Sequence, residues 1–293
     1  MEKVEFKGWK NCVEMQSGDF RIIITTEIGP RVIGGFLGSS PNLFYVDEST
    51  AGDSGGDEWK IYGGHRLWTS PEEKPRTYEP DNSQVKVTET DEGISFSSGT
   101  DPKTGIFKDM IIKPLGDNKF KVTHILRNDN VWDVELAAWA LSVMAPGGMS
   151  VVPQPQGDKT ALLPNRYFTI WPYTNMGDAR LTFGDKFIFM KQDSQAEYPC
   201  KYGLNGEDGW MAYVNNGVAF VKSYEHLIDA EYPDNGCSIE LFTNDFMHEI
   251  ETLSPLYQLG PEEEIIHVEE WKAVDDIGQI SSEADAAKYF PVD

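Results

Sequence analysis

The sequence predicts a mostly β fold of antiparallel strands, and three observations carry that expectation. Short runs rich in β-branched and aromatic residues recur along the whole chain. Turn sequences with Asn and Gly stand between them, at Gly116-Asp117-Asn118, Asn215-Asn216-Gly217 and Asp234-Asn235-Gly236, where left-handed backbone angles suit tight hairpins. Helical periodicity over windows of roughly 11–18 residues, which an α/β protein needs between its strands, is nearly absent.

In chain order, strands are predicted over Phe20–Glu27, Lys119–Arg127, Val134–Met144, Leu181–Met190, Gly217–Tyr224, Ser238–Thr243, Met247–Leu253 and Ile265–Trp271, most of them bounded by Gly, Asn, Asp or Pro. Alternation gives several of these a defined face. Lys119–Arg127 aligns Phe120, Val122, His124 and Leu126; Gly217–Tyr224 aligns Val218, Phe220 and Lys222; Met247–Leu253 aligns Met247, Glu249, Glu251 and Leu253. One helix is predicted, Ser281 to Tyr289, with Ser282 as cap and Glu283 and Asp285 at the favourable end of its dipole, packed on a sheet edge. The polar stretches Ser49 to Glu58 and Thr69 to Ser83 are too long for hairpin turns, and long structured loops in β proteins often line binding sites. With no linker and no internal repeat, residues 1–293 read as one domain.

Lys and Arg number 25 against 48 Asp and Glu, a net charge of −23, which argues against a nucleic acid or an anionic membrane as partner. A hydrophobic fraction of 40% with 8 Trp, 12 Tyr and 15 Phe is enough for a packed core rather than a disordered acidic chain. No stretch approaches the ~20 apolar residues of a membrane span, and the N-terminal run is polar and charged, so a cytoplasmic protein is expected. The three cysteines, Cys12, Cys200 and Cys237, are too far apart to suggest a disulfide framework or a thiolate metal site. Phosphate loops, dinucleotide fingerprints, nucleophile elbows and zinc-protease motifs are absent, and neither metal nor organic cofactor is expected.

Two segments carry chemistry. Tyr62-Gly63-Gly64-His65-Arg66-Leu67-Trp68 places an imidazole, a guanidinium and an indole behind two glycines that allow a close backbone approach. A proton donor, an oxygen clamp and a stacking face are what a carbohydrate site uses. In Met247–Leu253, Glu249 and Glu251 either lie between apolar neighbours, where burial raises a carboxyl toward the range of a general base, or occupy the solvated face of an edge strand. Lys222 and Arg31, the latter in Gly29-Pro30-Arg31-Val32-Ile33-Gly34-Gly35, are cations on or beside apolar faces, able either to cover apolar surface or to hold an acid. The pattern around His124 is that of a core histidine.

With its early Gly-Pro-Arg-Val-Ile-Gly-Gly turn, its Gly-Gly-His-Arg-Leu-Trp segment, and a late Glu251 strand followed by Leu259-Gly260-Pro261-Glu262, the chain resembles the galactose mutarotase-like superfamily over roughly residues 5–272. The resemblance implies a β-supersandwich of large antiparallel sheets with a sugar on a concave face. It further implies an aldose 1-epimerase-like role for Glu251 as base, His65 or His124 as acid, and Arg31 or Arg66 as a holder of sugar oxygens; Lys222 is expected to join them as a third cation, and in a protein that only binds the sugar Trp68 and Trp139 are expected to stack on it. The family's histidine in the central strand has no counterpart in Val134–Leu141. A non-catalytic carbohydrate-binding protein of the same fold is therefore the alternative expectation, and both readings take a mono- or oligosaccharide ligand, neutral or acidic.

Overall fold

A computed structural model of the chain describes residues 1–292. Two large antiparallel sheets face one another. The first, of eleven strands, runs in spatial order Glu2–Phe6, Trp9–Ser17, Phe20–Thr25, Arg31–Leu37, Gly64–Ser70, Val134–Met144, His248–Leu253, Ile239–Thr243, Cys200–Leu204 and Phe168–Ile170, with Tyr257–Leu259 paired to the beginning of Val134–Met144. The second, of ten strands, runs Leu181–Phe183, Phe187–Lys191, Met149–Pro153, Trp210–Asn215, Val218–Tyr224, Glu264–Val274, Lys119–Asn128, Ile106–Gly116, Gly93–Thr100 and Lys86–Thr90. Among the described residues no helix is long and apolar enough to cross a membrane.

Alternation decides what each strand gives to the interior. Phe20, Ile22 and Ile24 of the first sheet meet Phe120, Val122, Phe220 and Trp271 of the second in one core. Edge-to-face rings close it, with Phe20 and Phe120 at 5.4 Å and Phe44 and Phe220 at 5.3 Å. The middle strands of the first sheet are buried along nearly their whole length on both faces, as Gly64–Ser70 and His248–Leu253 show. One face belongs to the core. The other lies under loops and floors a cleft.

Most predicted strands are present, and the exceptions have simple causes. Leu181–Met190 is two strands, Leu181–Phe183 and Phe187–Lys191, folded as a hairpin around Gly184 to Lys186. The turns at Asp117-Asn118 and Asn216-Gly217 are hairpins with left-handed angles. Asp234 and Asn235 also have positive φ, but their turn carries the chain from the second sheet into the first and closes no hairpin. The terminal helix shrinks to Glu283–Ala286, capped by Ser282, and packs with Ile277, Ile280 and Phe290 over the outer face of the second sheet. Glu283 fixes it there by accepting from the backbone N–H groups of Lys186 and Phe187.

Between the sheets lies a polar network as buried as the hydrocarbon around it. Lys222 Nζ donates to the main-chain oxygens of Ala140 at 3.0 Å and Ile250 at 3.4 Å, and pairs with Glu269 at 2.8 Å. Glu269 also accepts from Thr252 and from Trp271 Nε1. Burial opposes ionisation of Glu269, but Lys222, His124 and His267 outweigh it and draw the carboxyl down to about 2. The ammonium thereby ties the second sheet to two neighbouring strands of the first.

Lys222→Met leaves a buried carboxylate without its counter-charge and is expected to destabilise the fold by about 3–5 kcal/mol. The double variant Lys222→Met/Glu269→Gln removes the orphaned charge and should recover part of that loss. Urea unfolding of the two variants checks this; a double variant less stable than the single one contradicts it.

Candidate functional site

The cleft over the outer face of the first sheet has a volume of about 350 Å³, at the small end of the roughly 300–1,000 Å³ typical of small-molecule pockets. Its position follows from strand register. Trp68 and Trp139 are cross-strand partners, as are Arg66 and Leu141, and Leu141 in turn is the partner of Glu251. Glu249 and Phe242 are paired on the next two strands, so one row of outward positions supplies rings and charges to one floor.

Aromatic rings make the walls. Trp68 lies 5.5 Å from Trp139 and 5.4 Å from Trp59, with Tyr78 5.0 Å away, while Trp171 and Tyr173 close the far side. Two cations, each paired with carboxylates, are set among these rings. Arg66 Nη2 donates to Glu249 at 3.1 Å, and its guanidinium sits 4.1 Å over Trp68. Arg66 Nε and Nη1 are buried without a partner. Lys201 Nζ meets Glu240 at 2.6 Å and Glu251 at 3.4 Å and lies 4.6 and 4.5 Å from the rings of Trp139 and Trp171. Burial pulls Lys201 down, but Glu251 and Glu240 outweigh it and hold the amine above the ordinary lysine range. Those two carboxyls face each other across neighbouring strands and have a single ammonium between them. Burial first, and then each other's charge, lifts Glu240; burial first, and then Glu249, lifts Glu251 against the pull of Lys201.

Of the residues expected at a sugar site, Arg66, Trp68 and Trp139 line the cleft. Glu251 points the same way but lies beneath the floor with no exposed surface, accepting from Trp139 Nε1 at 2.8 Å. Glu249, two residues earlier, is the carboxylate of that strand that reaches the cleft. His65 faces the other way. It is one residue from Arg66, so the pleat turns it into the core, where Nδ1 meets Ser142 Oγ at 2.8 Å and Nε2 shares a proton with His124 Nε2 at 2.7 Å. Assigning His65 as acid is corrected on that ground, and His124, whose Nδ1 donates to the His267 main-chain oxygen, is corrected with it. Lys222 is likewise internal. Arg31 has the orientation of its cross-strand partner Arg66 but is consumed by Asp81 at 2.6 Å and by the main-chain oxygens of Ile61 and Gly63, so it fastens the loop behind the cleft. The two glycines serve the same junction: a Cβ on Gly63 would lie 2.1 Å from Tyr45 O, and one on Gly64 2.2 Å from Val32 O. Their close approach is to backbone and not to ligand.

Sequence reading missed Lys201, Trp59, Trp171, Tyr78 and Tyr173. Lys201 was detectable, because Cys200, Tyr202 and Leu204 alternate around it. None of the five histidines lines the cleft. Metal-ligand atoms of His65, His124 and Glu269 lie within 4.8 Å of one another, but the two imidazoles already share a proton and Lys222 already neutralises the carboxylate.

No protein-family model matches the chain, and no curated protein matches it. Solved structures do. A galactose mutarotase-like protein from Lactobacillus casei superposes with a TM-score of 0.58 at 8% identity, over 90% of this chain and 100% of the other. One from Clostridium acetobutylicum gives 0.53 at 12% identity, over 90% and 95% of the two chains. A galactose mutarotase related enzyme from Lactobacillus acidophilus gives 0.54 at 11% identity, over 92% and 100%. At these identities the likeness is one of fold.

The buried histidines set an acid limit on stability. Burial lowers His65 and His124, and lowers His248 and His267 to about 3, below the ~6.5 of an unfolded chain. Below pH ~6.5 the unfolded state takes up protons that the folded state refuses, so stability falls as pH drops toward 3, by at most about 1.4 kcal/mol per pH unit for each histidine. Glu240, Glu251 and Asp109, raised by burial, act in the opposite sense, but with His226 also lowered by burial the five histidines outnumber these three carboxyls. Urea midpoints should therefore decrease between pH 6.5 and 4; a midpoint that rises over that interval contradicts the assignment.

Proposed function

We propose that this chain, which has the galactose mutarotase-like fold, binds a carbohydrate in the cleft over its first sheet, and that recognition rather than interconversion of anomers is the task of that cleft. The observation that carries this reading is the gathering of Trp59, Trp68, Trp139, Trp171, Tyr78 and Tyr173 around the Arg66–Glu249 pair. Indole faces stack on the C–H faces of a pyranose, and a carboxylate beside a guanidinium offers an acceptor and donors to adjacent hydroxyls. Arg66 keeps two buried donors unspent, which ligand oxygens would satisfy.

Ring opening needs a base on the anomeric hydroxyl and a proton donor near the ring oxygen. The cleft offers no imidazole for the second role. Burial, and the Glu72 carboxylate beside it, push the Tyr78 hydroxyl above its ordinary range, away from that of an acid working at neutral pH. Glu251, the base that the family resemblance implies, has no exposed surface. A catalytic reading would have to draw instead on Glu249 or Glu72, the two carboxylates that line the cleft.

Binding is tested by thermal shift and calorimetry against a panel of free sugars. A ligand at 100 times its dissociation constant should stabilise the fold by about 2.7 kcal/mol. Trp68→Ala is expected to weaken binding by at least tenfold, since an aromatic stacking platform and the seat of Arg66 are lost together. Polarimetry of freshly dissolved anomers should show the spontaneous rate only. Acceleration abolished by Glu249→Gln would replace recognition with catalysis, and failure of every sugar to bind would overturn the reading.

A further inference from the structure

We propose that this protein has a second, covalent site, in which Lys108 holds a short, neutral hydroxyaldehyde as a reversible imine. The site is a pocket of about 110 Å³ lined from both sheets, by Thr69 of the first and Ile106 and Lys108 of the second, and by the loop residues Arg76 and Asp81. It shares no lining residue with the cleft, so the inference stands apart from the carbohydrate-binding reading. Alternation along Ile106–Gly116 is what puts an amine there. Lys108 lies in phase with Ile106, Met110 and Ile112, all core residues, and so faces the interior. Its flank is open. The neighbouring strand bulges between Ser97 and Gly99, Gly99 is the cross-strand partner of Lys108, and a Cβ on that glycine would meet nothing within 4 Å.

Lys108 differs from the other inward cations in having no partner. Arg31, Arg66, Lys201 and Lys222 are each tied to an acid, whereas Lys108 has neither hydrogen bond nor ion pair among the described residues. The carboxylates around it are engaged elsewhere: Asp81 with Arg31 at 2.6 Å, Glu79 with Lys103 at 2.6 Å, and Asp101 with the backbone N–H groups of Lys103 and Thr104. Burial lowers the amine below the ordinary lysine range against the pull of Asp81 and Asp101. A desolvated lysine of this kind reacts with carbonyls. Nζ gives its ammonium proton to solvent, and its lone pair then forms the C–N bond to the aldehyde carbon. The two remaining N–H protons pass to the carbonyl oxygen, which leaves as water as C=N forms, with nothing oxidised or reduced. Three atoms of the lining indicate the rest of the guest. Thr69 Oγ1, Arg76 Nε and Asp81 Oδ1 are buried without a partner, and a hydroxyl, which both donates and accepts, suits such a mixed set. A carboxylate or phosphate would meet Glu79, Asp81 and Asp101, and a cation would meet Arg76 and Lys108. At about 110 Å³ against about 350 Å³ for the cleft, the pocket takes a short chain rather than a pyranose.

The test is reductive trapping. The protein is mixed with glyceraldehyde and cyanoborohydride near neutral pH, and the modified lysines are located by peptide mass spectrometry. Labelling of Lys108 is expected to saturate as glyceraldehyde is raised and, at low concentration, to run at least about fivefold ahead of the exposed Lys159 and Lys272, whose labelling should rise in proportion to the reagent. Propanal, which has the carbonyl without the hydroxyls, should label Lys108 at least about threefold less efficiently. Labelling of Lys108 no faster than that of Lys159 and Lys272, or rising without saturation, would overturn the covalent site. Propanal as efficient as glyceraldehyde would overturn the hydroxyaldehyde as its guest, and protection of Lys108 by inorganic phosphate would make the pocket an anion site instead. Each of these outcomes leaves carbohydrate binding in the cleft untouched.

Discussion

Ionised side chains on the middle strands of both sheets are largely or wholly withdrawn from water, and much of the structure follows from supplying each with a partner. Moving a charge into such a position costs several kcal/mol unless an opposite charge and hydrogen bonds come with it. The chain answers with Arg66–Glu249 and Lys201–Glu240/Glu251 on the cleft side, Lys222–Glu269 on the core side and Arg31–Asp81 at the junction. Each joins separate strands or a strand and a loop. Charge pairing therefore fixes how the floor is assembled as well as its electrostatics.

Lys222 shows how this reaches the cleft. Its ammonium holds the main-chain oxygens of Ala140 and Ile250, each next in sequence to a residue of the cleft floor or its foundation, Trp139 and Leu141 on one strand and Glu249 and Glu251 on the other. The pleat puts the carbonyl anchor and the outward side chain within one residue of each other, so an internal ion pair sets the height of the rings above it. Arg31 does the corresponding work for the loop that carries Trp59, through the oxygens of Ile61 and Gly63.

Period-two alternation made a good part of this legible. It put Glu249 with Glu251, and Lys222 with Phe220, on the faces they occupy. It could not say which face was the cleft, because both faces of the middle strands are buried and both carry polar groups. His65 and Arg66 illustrate the difficulty: neighbours in one motif, they point to opposite sides, and the imidazole meets Ser142 and His124 where a ligand was expected. The glycines before them looked like a ligand approach and serve backbone packing instead. Trp59, Trp171, Tyr78 and Tyr173 come from loops, whose convergence depends on tertiary packing that no local pattern encodes. The resemblance to mutarotase-like proteins correctly implied the architecture, but it carried Glu251 to a place below the floor and left its neighbour Glu249 in contact with the cleft.

The claim that the cleft is the carbohydrate site is tested most directly by the indole N–H resonances of the eight tryptophans during a sugar titration, after assignment by single Trp→Phe variants. Trp59, Trp68, Trp139 and Trp171 surround the cleft, whereas Trp9 and Trp271 are core residues, Trp132 is exposed elsewhere and Trp210 stacks on Phe290. The account predicts saturable shifts confined to the first four, with one common dissociation constant. Shifts centred on Trp132 or Trp210, with the four cleft indoles unmoved at saturation, would contradict it.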